Sequence, residues 1–293
     1  MRYLLLLSIV LVSLCAGLPE IPFINQPNTT VSNPGTLIID SESPDLFVSV
    51  DTVPNEVKTG RDVSLLFQMT NKNPYSLDNI NFTIYDPCIF SGDTEKNIAE
   101  IKANSTKTFS LKLTAGDTNF EQTCSLKFRI TYDTEYSSYN DIIVLTKDEY
   151  EQREMAGTLN NIPIQQSFPS SPFKISLRFS EEQPFMNEEN YFMYLDYNNI
   201  GGGVLDVKSV TLSFPSNVKD FSCSDYQQVT GGPYPNSFSL KKIPLSFINN
   251  RASTSSCSFN TSASQPIDIK SLAITASYKY VLDNSISIRV RLK

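Results

Sequence analysis

Two stretches of this chain are written to one plan, and each holds a pair of cysteines at nearly the same spacing. Cys88 and Cys124 are 36 residues apart, and Cys223 and Cys257 are 34 apart. In the first stretch, LFVSVDTV (46–53), VSLLFQMTN (63–71), INFTIYD (80–86) and KTFSLKLT (107–114) lead to CSLKFRITYDTEYSSYNDIIVL (124–145). In the second, FKISLRFS (173–180), NYFMYLDYNN (190–199), DVKSVTLSFP (206–215) and NSFSLKKIPLSF (236–247) lead to SLAITASYKYVLDNSISIRVRL (271–292). Most of these segments alternate apolar and polar residues with a period of two, and nothing between them has a 3.6-residue period. Short strands of this kind, recurring at about ten-residue intervals, predict antiparallel β-sandwiches. The last segment of each copy reads as a closing hairpin, turning at 135–139 in the first and at 282–284 in the second. Tyr132 and Tyr278 then share one inward position.

The expected fold is all-β: two tandem Ig-like antiparallel β-sandwiches behind an N-terminal signal peptide. Residues 1–17 form the signal, with Arg2, an apolar run over 4–14 and small residues before Leu18. Eleven residues rise about 16 Å as a helix, short of a bilayer core. No other stretch approaches eighteen apolar residues, so no transmembrane segment is expected in the mature chain. Residues 18–45 are an extended lead-in rich in Pro, Asn, Ser and Thr, with one short strand at 36–39. Sandwich one covers 46–146 and sandwich two 173–293. Between them, 147–172 is a linker whose DEYEQREMAG (148–157) has helical composition, with Gly157 as its cap.

Removal of residues 1–17 takes Cys15 with them and leaves four of the five cysteines, an even number in an exported chain. Four cysteines allow three pairings. Each copy places its first cysteine after the third strand and its second before the closing segment, so pairing within copies is expected: Cys88 with Cys124, Cys223 with Cys257. The bland alternative is four buried thiols.

VKTGRDVSLLFQMTNKNPYSLDNINFTIYD and NEENYFMYLDYNNIGGGVLDVKSVTLSFP resemble the CARDB-like and S-layer-associated Ig-like modules of archaeal and bacterial cell surfaces. Those modules pass from a Gly-containing turn to an apolar strand ending in Asn, then through a short loop to an alternating strand. The likeness spans about 46–144 and 173–292. It implies a surface spacer, an adhesion module or an assembly unit, and it transfers no catalytic residue. A cysteine pair in each module is not part of that pattern.

Charge and composition narrow the functional classes. The formal charge is −7, and no Lys/Arg cluster interrupts the acidic surface, so nucleic acid is not an expected partner. Histidine is absent, which removes Ser-His-Asp and Cys-His nucleophiles and any His-ligated metal. No catalytic, cofactor or metal residues are assigned, and the chain is expected not to be an enzyme. Sequons make Asn28, Asn81, Asn104 and Asn260 candidate glycan acceptors. Tyr226, Gly231, Gly232 and Tyr234 mark a Gly-rich loop in the second copy alone, the expected partner-binding surface. Acidic residues over 40–45, and Asp133, Glu135 and Asp141, could surround calcium, but their spacing does not match an EF-hand loop. They read as solvated charge. Gly201–Gly203 lies between two strands and lacks the helix N-terminus of a phosphate cradle. The expected role is cell-envelope structure, adhesion or assembly with an extracellular protein partner. The alternative is an extracellular carbohydrate-binding protein, with Tyr226 and Tyr234 on the glycan.

Overall fold

The computed structural model of the chain describes residues 36–39 (as backbone), 43–229 and 236–292. The first copy contains β1 (Thr36–Ile39), β2 (Leu46–Val53), β3 (Glu56–Lys58), β4 (Asp62–Asn71), β5 (Leu77–Asp86), β6 (Phe90–Gly92), β7 (Glu95–Ile101), β8 (Thr106–Ala115) and β9 (Gln122–Leu145). Helix α1 (Lys147–Met155), a 3₁₀ turn (Leu159–Asn161) and β10 (Gln166–Ser167) connect it to the second copy. There follow β11 (Phe173–Phe179), β12 (Phe185–Met186), β13 (Asn190–Asn199), β14 (Val204–Ser213), β15 (Val218–Cys223), β16 (Tyr226–Val229), β17 (Ser237–Leu240), β18 (Ser255–Thr261) and β19 (Ile267–Arg291).

Three sheets result. One outer sheet has the order β1-β2-β4-β8-β6, and the other has β11-β13-β18-β15. Both lie against a central sheet ordered β16-β17-β14-β19-β9-β5-β7, to which β3, β10 and β12 add. The all-β, antiparallel sandwich class expected from the alternation is what forms. The duplication is visible strand by strand: β2, β4, β8 and β6 correspond to β11, β13, β18 and β15. Likewise β3 pairs in parallel with β19 at 289–291, as β12 pairs with β9 at 144–145.

The expected closing hairpins do not form. β9 is one continuous strand of 24 residues and β19 one of 25. They pair antiparallel with each other along their length, from Ile267↔Leu145 to Val290↔Gln122. Residues 135–139, expected to turn, lie in mid-strand, with Tyr136 opposite Ala276. Residues 282–284 also stay extended, and Asp283 takes a bidentate ion pair from Arg129 at 2.7 and 2.8 Å. Neither stretch holds the glycine that a two-residue hairpin turn favours, and the first carries the strand-forming Tyr136 and Tyr139. Each long strand therefore runs through both sandwiches. The copies exchange arms: the end of β9 serves the second sandwich, and the end of β19 returns to the first.

Alternation builds the core. In β9 the even-numbered residues from Cys124 to Val144 are all buried, and in β19 so are Leu272, Ile274, Ala276, Tyr278, Tyr280 and Leu282. Because that parity never changes, both outer sheets pack on one face of the central sheet. Phe67, Phe82, Phe109 and Phe128 fill the first sandwich, with Phe67 4.3 Å from Phe82 between ring centroids. Phe179, Phe185, Tyr191 and Phe259 do the same in the second. The buried apolar residues of the two halves make one contiguous cluster. Helix α1 contributes nothing to it, since none of its residues is buried. It ends as expected: Gly157 has φ 66°, its N–H donates to Glu154 O, and that of Thr158 donates to Arg153 O, which is a Schellman cap.

Candidate functional site

The two copies meet at a polar point within this apolar core. Asp133 of β9 faces Lys279 of β19, and on either side of that rung stand Tyr132 and Tyr278. Their hydroxyls converge on Asp45, which sits one residue before β2 and is 0% exposed. Tyr132 Oη donates to Asp45 Oδ1 at 2.7 Å, and Tyr278 Oη donates to Oδ2 at 3.2 Å. The Ser43 hydroxyl also donates to Asp45. The second copy repeats half of this motif: Ser171, just before β11, meets Tyr278 Oη at 2.8 Å and accepts the Phe173 N–H at 3.1 Å. A single carboxylate thus bridges β9 and β19 through their equivalent tyrosines.

Burial lifts the Asp45 carboxyl above the ordinary range, while its hydroxyl donors pull the other way. Tyr132 and Tyr278 are raised well above their usual value, again by burial first and then by the adjacent Asp45 charge. A carboxyl raised in the folded state stabilises it fully below the unfolded pKa, near 4, and that contribution disappears as pH climbs through the raised value. Asp45→Asn should therefore flatten this limb of the stability–pH curve and leave the fold intact. Urea denaturation of both proteins at several pH values checks it; parallel curves would refute the assignment.

The sequence placed Asp45 among solvated acids, and this is corrected: its position before the first strand puts it at the junction. A Ser-Pro dipeptide precedes the first strand of both copies, at 43–44 and 171–172, and marks the entry to each strand but not the convergence on Asp45. Asp133 and Asp141 are engaged locally, by Asn79 Nδ2 at 3.0 Å and by Ser271 Oγ at 2.8 Å. Among the described residues no three His, Cys, Asp or Glu side chains converge as metal ligands.

The other expected site residues fall as follows. Both cysteine pairs are bonded within their copies, Cys88–Cys124 with Cα atoms 5.8 Å apart and Cys223–Cys257 at 4.4 Å. Asn81 is exposed on β5, and Asn104 is exposed at a turn with φ 53°. Asn260 is half-buried, its amide donating to Asp220 Oδ2 and its oxygen accepting from Asn190. Asn28 lies outside the described residues, as do Gly231, Gly232 and Tyr234. Tyr226 does not face a partner. It is 3% exposed, with its hydroxyl 2.8 Å from that of Tyr197, and burial raises its pKa well above the usual value. Sequence reasoning put it on a loop because a Gly-rich run follows, yet β16 carries it into the core.

The run Gly201–Gly203 also has a structural role. Tyr280 Oη accepts the Gly203 N–H at 2.7 Å, and a Cβ at Gly203 would stand 2.9 Å from its ring. A Cβ at Gly201 would lie 2.1 Å from the Tyr280 hydroxyl. The glycines let the tyrosine reach the backbone.

Beside β11 runs a groove of about 620 Å³, walled by Leu177 and Phe179 on one side and by Ile162 and Ile164 of the connecting segment on the other. Leu177 and Phe179 are only partly buried. At the equivalent inward positions of β2, Val50 is 0% and Thr52 is 8% exposed. Sequence analysis did not single out this groove, because it arises from where neighbouring segments run.

No family model matches the chain, and no curated protein matches it. Among solved structures, a protein of Corynebacterium diphtheriae assigned as membrane anchored is 10% identical, with 84% of this chain and 89% of that one covered and a TM-score of 0.17. Elastase-activated alpha-2-macroglobulin of Escherichia coli is 11% identical, over 85% of this chain and 33% of that one, also at 0.17. Superpositions this distant carry nothing about activity. No helix among the described residues is long and apolar enough to cross a membrane.

Proposed function

We propose that this is a non-enzymatic secreted or cell-surface protein, a stiff two-sandwich module acting in envelope structure, adhesion or protein–protein assembly. The observation that carries the reading is the β9–β19 ladder. Two paired strands of 24 and 25 residues span both sandwiches and leave no hinge between them. At about 3.3 Å per residue they extend roughly 80 Å, a length suited to presenting or spacing a surface. Two disulfides fit an oxidising compartment, and Asn81 and Asn104 offer exposed amides to glycosylation there. The buried carboxylate at the centre is closed to solvent and holds strands together.

Fractionation of the source cells provides the test. The protein should be found in the envelope or the medium with both cysteine pairs oxidised, and cross-linking there should capture a protein neighbour. Recovery from the cytosol with free thiols would overturn the reading. Carbohydrate binding, if present, must use residues other than Tyr226, because Tyr226→Ala would empty a core position.

A further inference from the structure

The outward face of the β11-β13-β18 sheet gathers positive charge on an otherwise acidic protein. Strand alternation turns Lys174, Ser176 and Arg178 of β11 and Asp196 and Asn198 of β13 away from the core. Lys174 lies opposite Asn198, and Ser176 opposite Asp196. A two-residue hairpin extends the first of these rows. Ile248 N–H donates to Arg251 O at 2.8 Å, and Arg251 N–H donates to Ile248 O at 3.1 Å. Between them Asn249 and Asn250 have φ 50° and 64°, the pair of positive values that a type I′ turn demands. Arg251 thereby bridges to Asn198, and the next N–H, of Ala252, donates to Tyr197 O at 3.0 Å. A cleft of about 380 Å³ opens over β13, lined by Ser176, Arg178, Asp196, Asn198, Arg251 and Thr254.

Its hydrogen-bonding groups are unequally spent. Asp196, the one acid lining the cleft, accepts Arg178 Nε at 2.7 Å and Nη2 at 3.3 Å, and the Thr254 hydroxyl at 2.6 Å. Arg178 holds that carboxyl below the ordinary carboxylate range, and its guanidinium also lies 5.5 Å from the centre of the Tyr194 ring. In contrast, the side chains of Arg251, Ser176, Asn198 and Lys174 make no hydrogen bond or ion pair among the described residues. Three cations thus face one neutralised acid, on a chain whose formal charge is −7.

The fold does not require this arrangement, because the first copy lacks it. Leu46 pairs with Asn71 as Phe173 pairs with Asn199, which aligns the two sheets residue by residue. Phe47 then takes the place of Lys174, Asp51 that of Arg178, and Gln68 that of Asp196. Thr70 and Thr106 occupy the places of Asn198 and Arg251, and their hydroxyls satisfy each other at 2.9 Å.

We propose that this cleft binds an acidic saccharide, with the carboxylate of a uronate-type sugar on the Arg251 guanidinium and the sugar hydroxyls on Ser176 and Asn198. A guanidinium fork meets a carboxylate through two parallel N–H bonds. Hydroxyl and amide side chains both donate and accept, as sugar hydroxyls do. Apart from Ala252 and the buried Tyr197, no apolar residue lines the cleft, which suits a hydroxyl-bearing ring better than an apolar side chain. An oligomer laid along β13 also reaches Phe192, which is 47% exposed on the same face, about 13 Å beyond Asp196.

The purified full mature chain tests this whatever compartment the protein occupies. Titration of the ¹⁵N-labelled protein with tetragalacturonate should shift the Arg251 Nε–H and Asn198 Nδ2 signals saturably, and added salt should weaken the binding. Arg251→Gln should reduce affinity by about tenfold or more. Arg251→Lys, which keeps the charge but not the fork, should fall between. The Arg251 side chain points outward and unbonded, so unmoved Leu195 and Phe259 amides will confirm that both variants are folded. Lys112→Gln, on the first copy's outer sheet, should leave binding unchanged. Absence of saturable shifts would overturn the proposal, as would equal affinity for a neutral galactose tetramer. A tetraglutamate peptide binding as tightly would make an acidic protein the partner instead, and inorganic sulfate doing so would reduce the cleft to a simple anion site.

Discussion

Deleting residues 282–293 should unfold the first sandwich, whose own sequence ends more than a hundred residues earlier. The deleted arm of β19 pairs with β9 from Gln122 to Ile130 and with β3. It carries Leu282, Ile286, Ile288 and Val290, all buried in the core. Burying each such side chain is worth about 1.5–3 kcal/mol, so the arm contributes roughly 6–12 kcal/mol, comparable with the whole stability of about 5–15 kcal/mol typical of a folded domain. Cys124 stands opposite Ile288, so the loss also opens the core beside the first disulfide. Two self-contained beads would behave differently: cutting the end of the second would leave the first resistant to protease and sharply melting. Proteolysis and thermal melts of the deletion variant separate the cases. A protease-resistant fragment over 46–145 would rule out the exchanged-arm architecture.

Replacing both cysteines of either pair with serine should lower stability by about 4 kcal/mol, the chain-entropy value for loops of this length, and replacing all four by about twice that. Those bonds close loops of 36 and 34 residues. The continuous core adds a second expectation. Removing Cys223–Cys257 should shift the unfolding of the first sandwich as well as the second, because the β9–β19 ladder makes them open together. Urea titrations read at probes in each half would check both points. Midpoints that move in one half alone, or losses below about 1 kcal/mol, would contradict them.

These outcomes depend on features of unequal legibility. Alternation along 124–132 and 272–282 marks the inward residues without ambiguity, because a strand has no other way to bury every second side chain. Duplication made the cysteine pairing readable from order and spacing alone, although the two bonds differ in setting: Cys223 and Cys257 face each other across β15 and β18, whereas Cys88 of the turn after β5 bonds to Cys124 within β9. Gly157 as a helix cap was readable because left-handed φ is a local demand. Tyr226 was misplaced for the opposite reason: the Gly-rich run beside it signals a loop, but burial of the tyrosine depends on Phe221 and Tyr197, which come from other strands. Asp45 was hidden similarly, as nothing local reveals that Tyr132 and Tyr278 will converge on it.

By itself, the amino-acid order determined an all-β chain with a repeated strand plan, its inward positions and its two sulfur links, all set by nearest neighbours or by repetition. The tertiary structure alone decided that the terminal segments run straight and trade places between copies. The physical reason is that a duplicated strand finds equivalent cross-strand partners in either copy, so the same alternation serves a hairpin or an exchanged arm. The choice then falls to packing at the junction around Asp45 and to the route of the segment before β11, neither of which any short stretch of residues encodes.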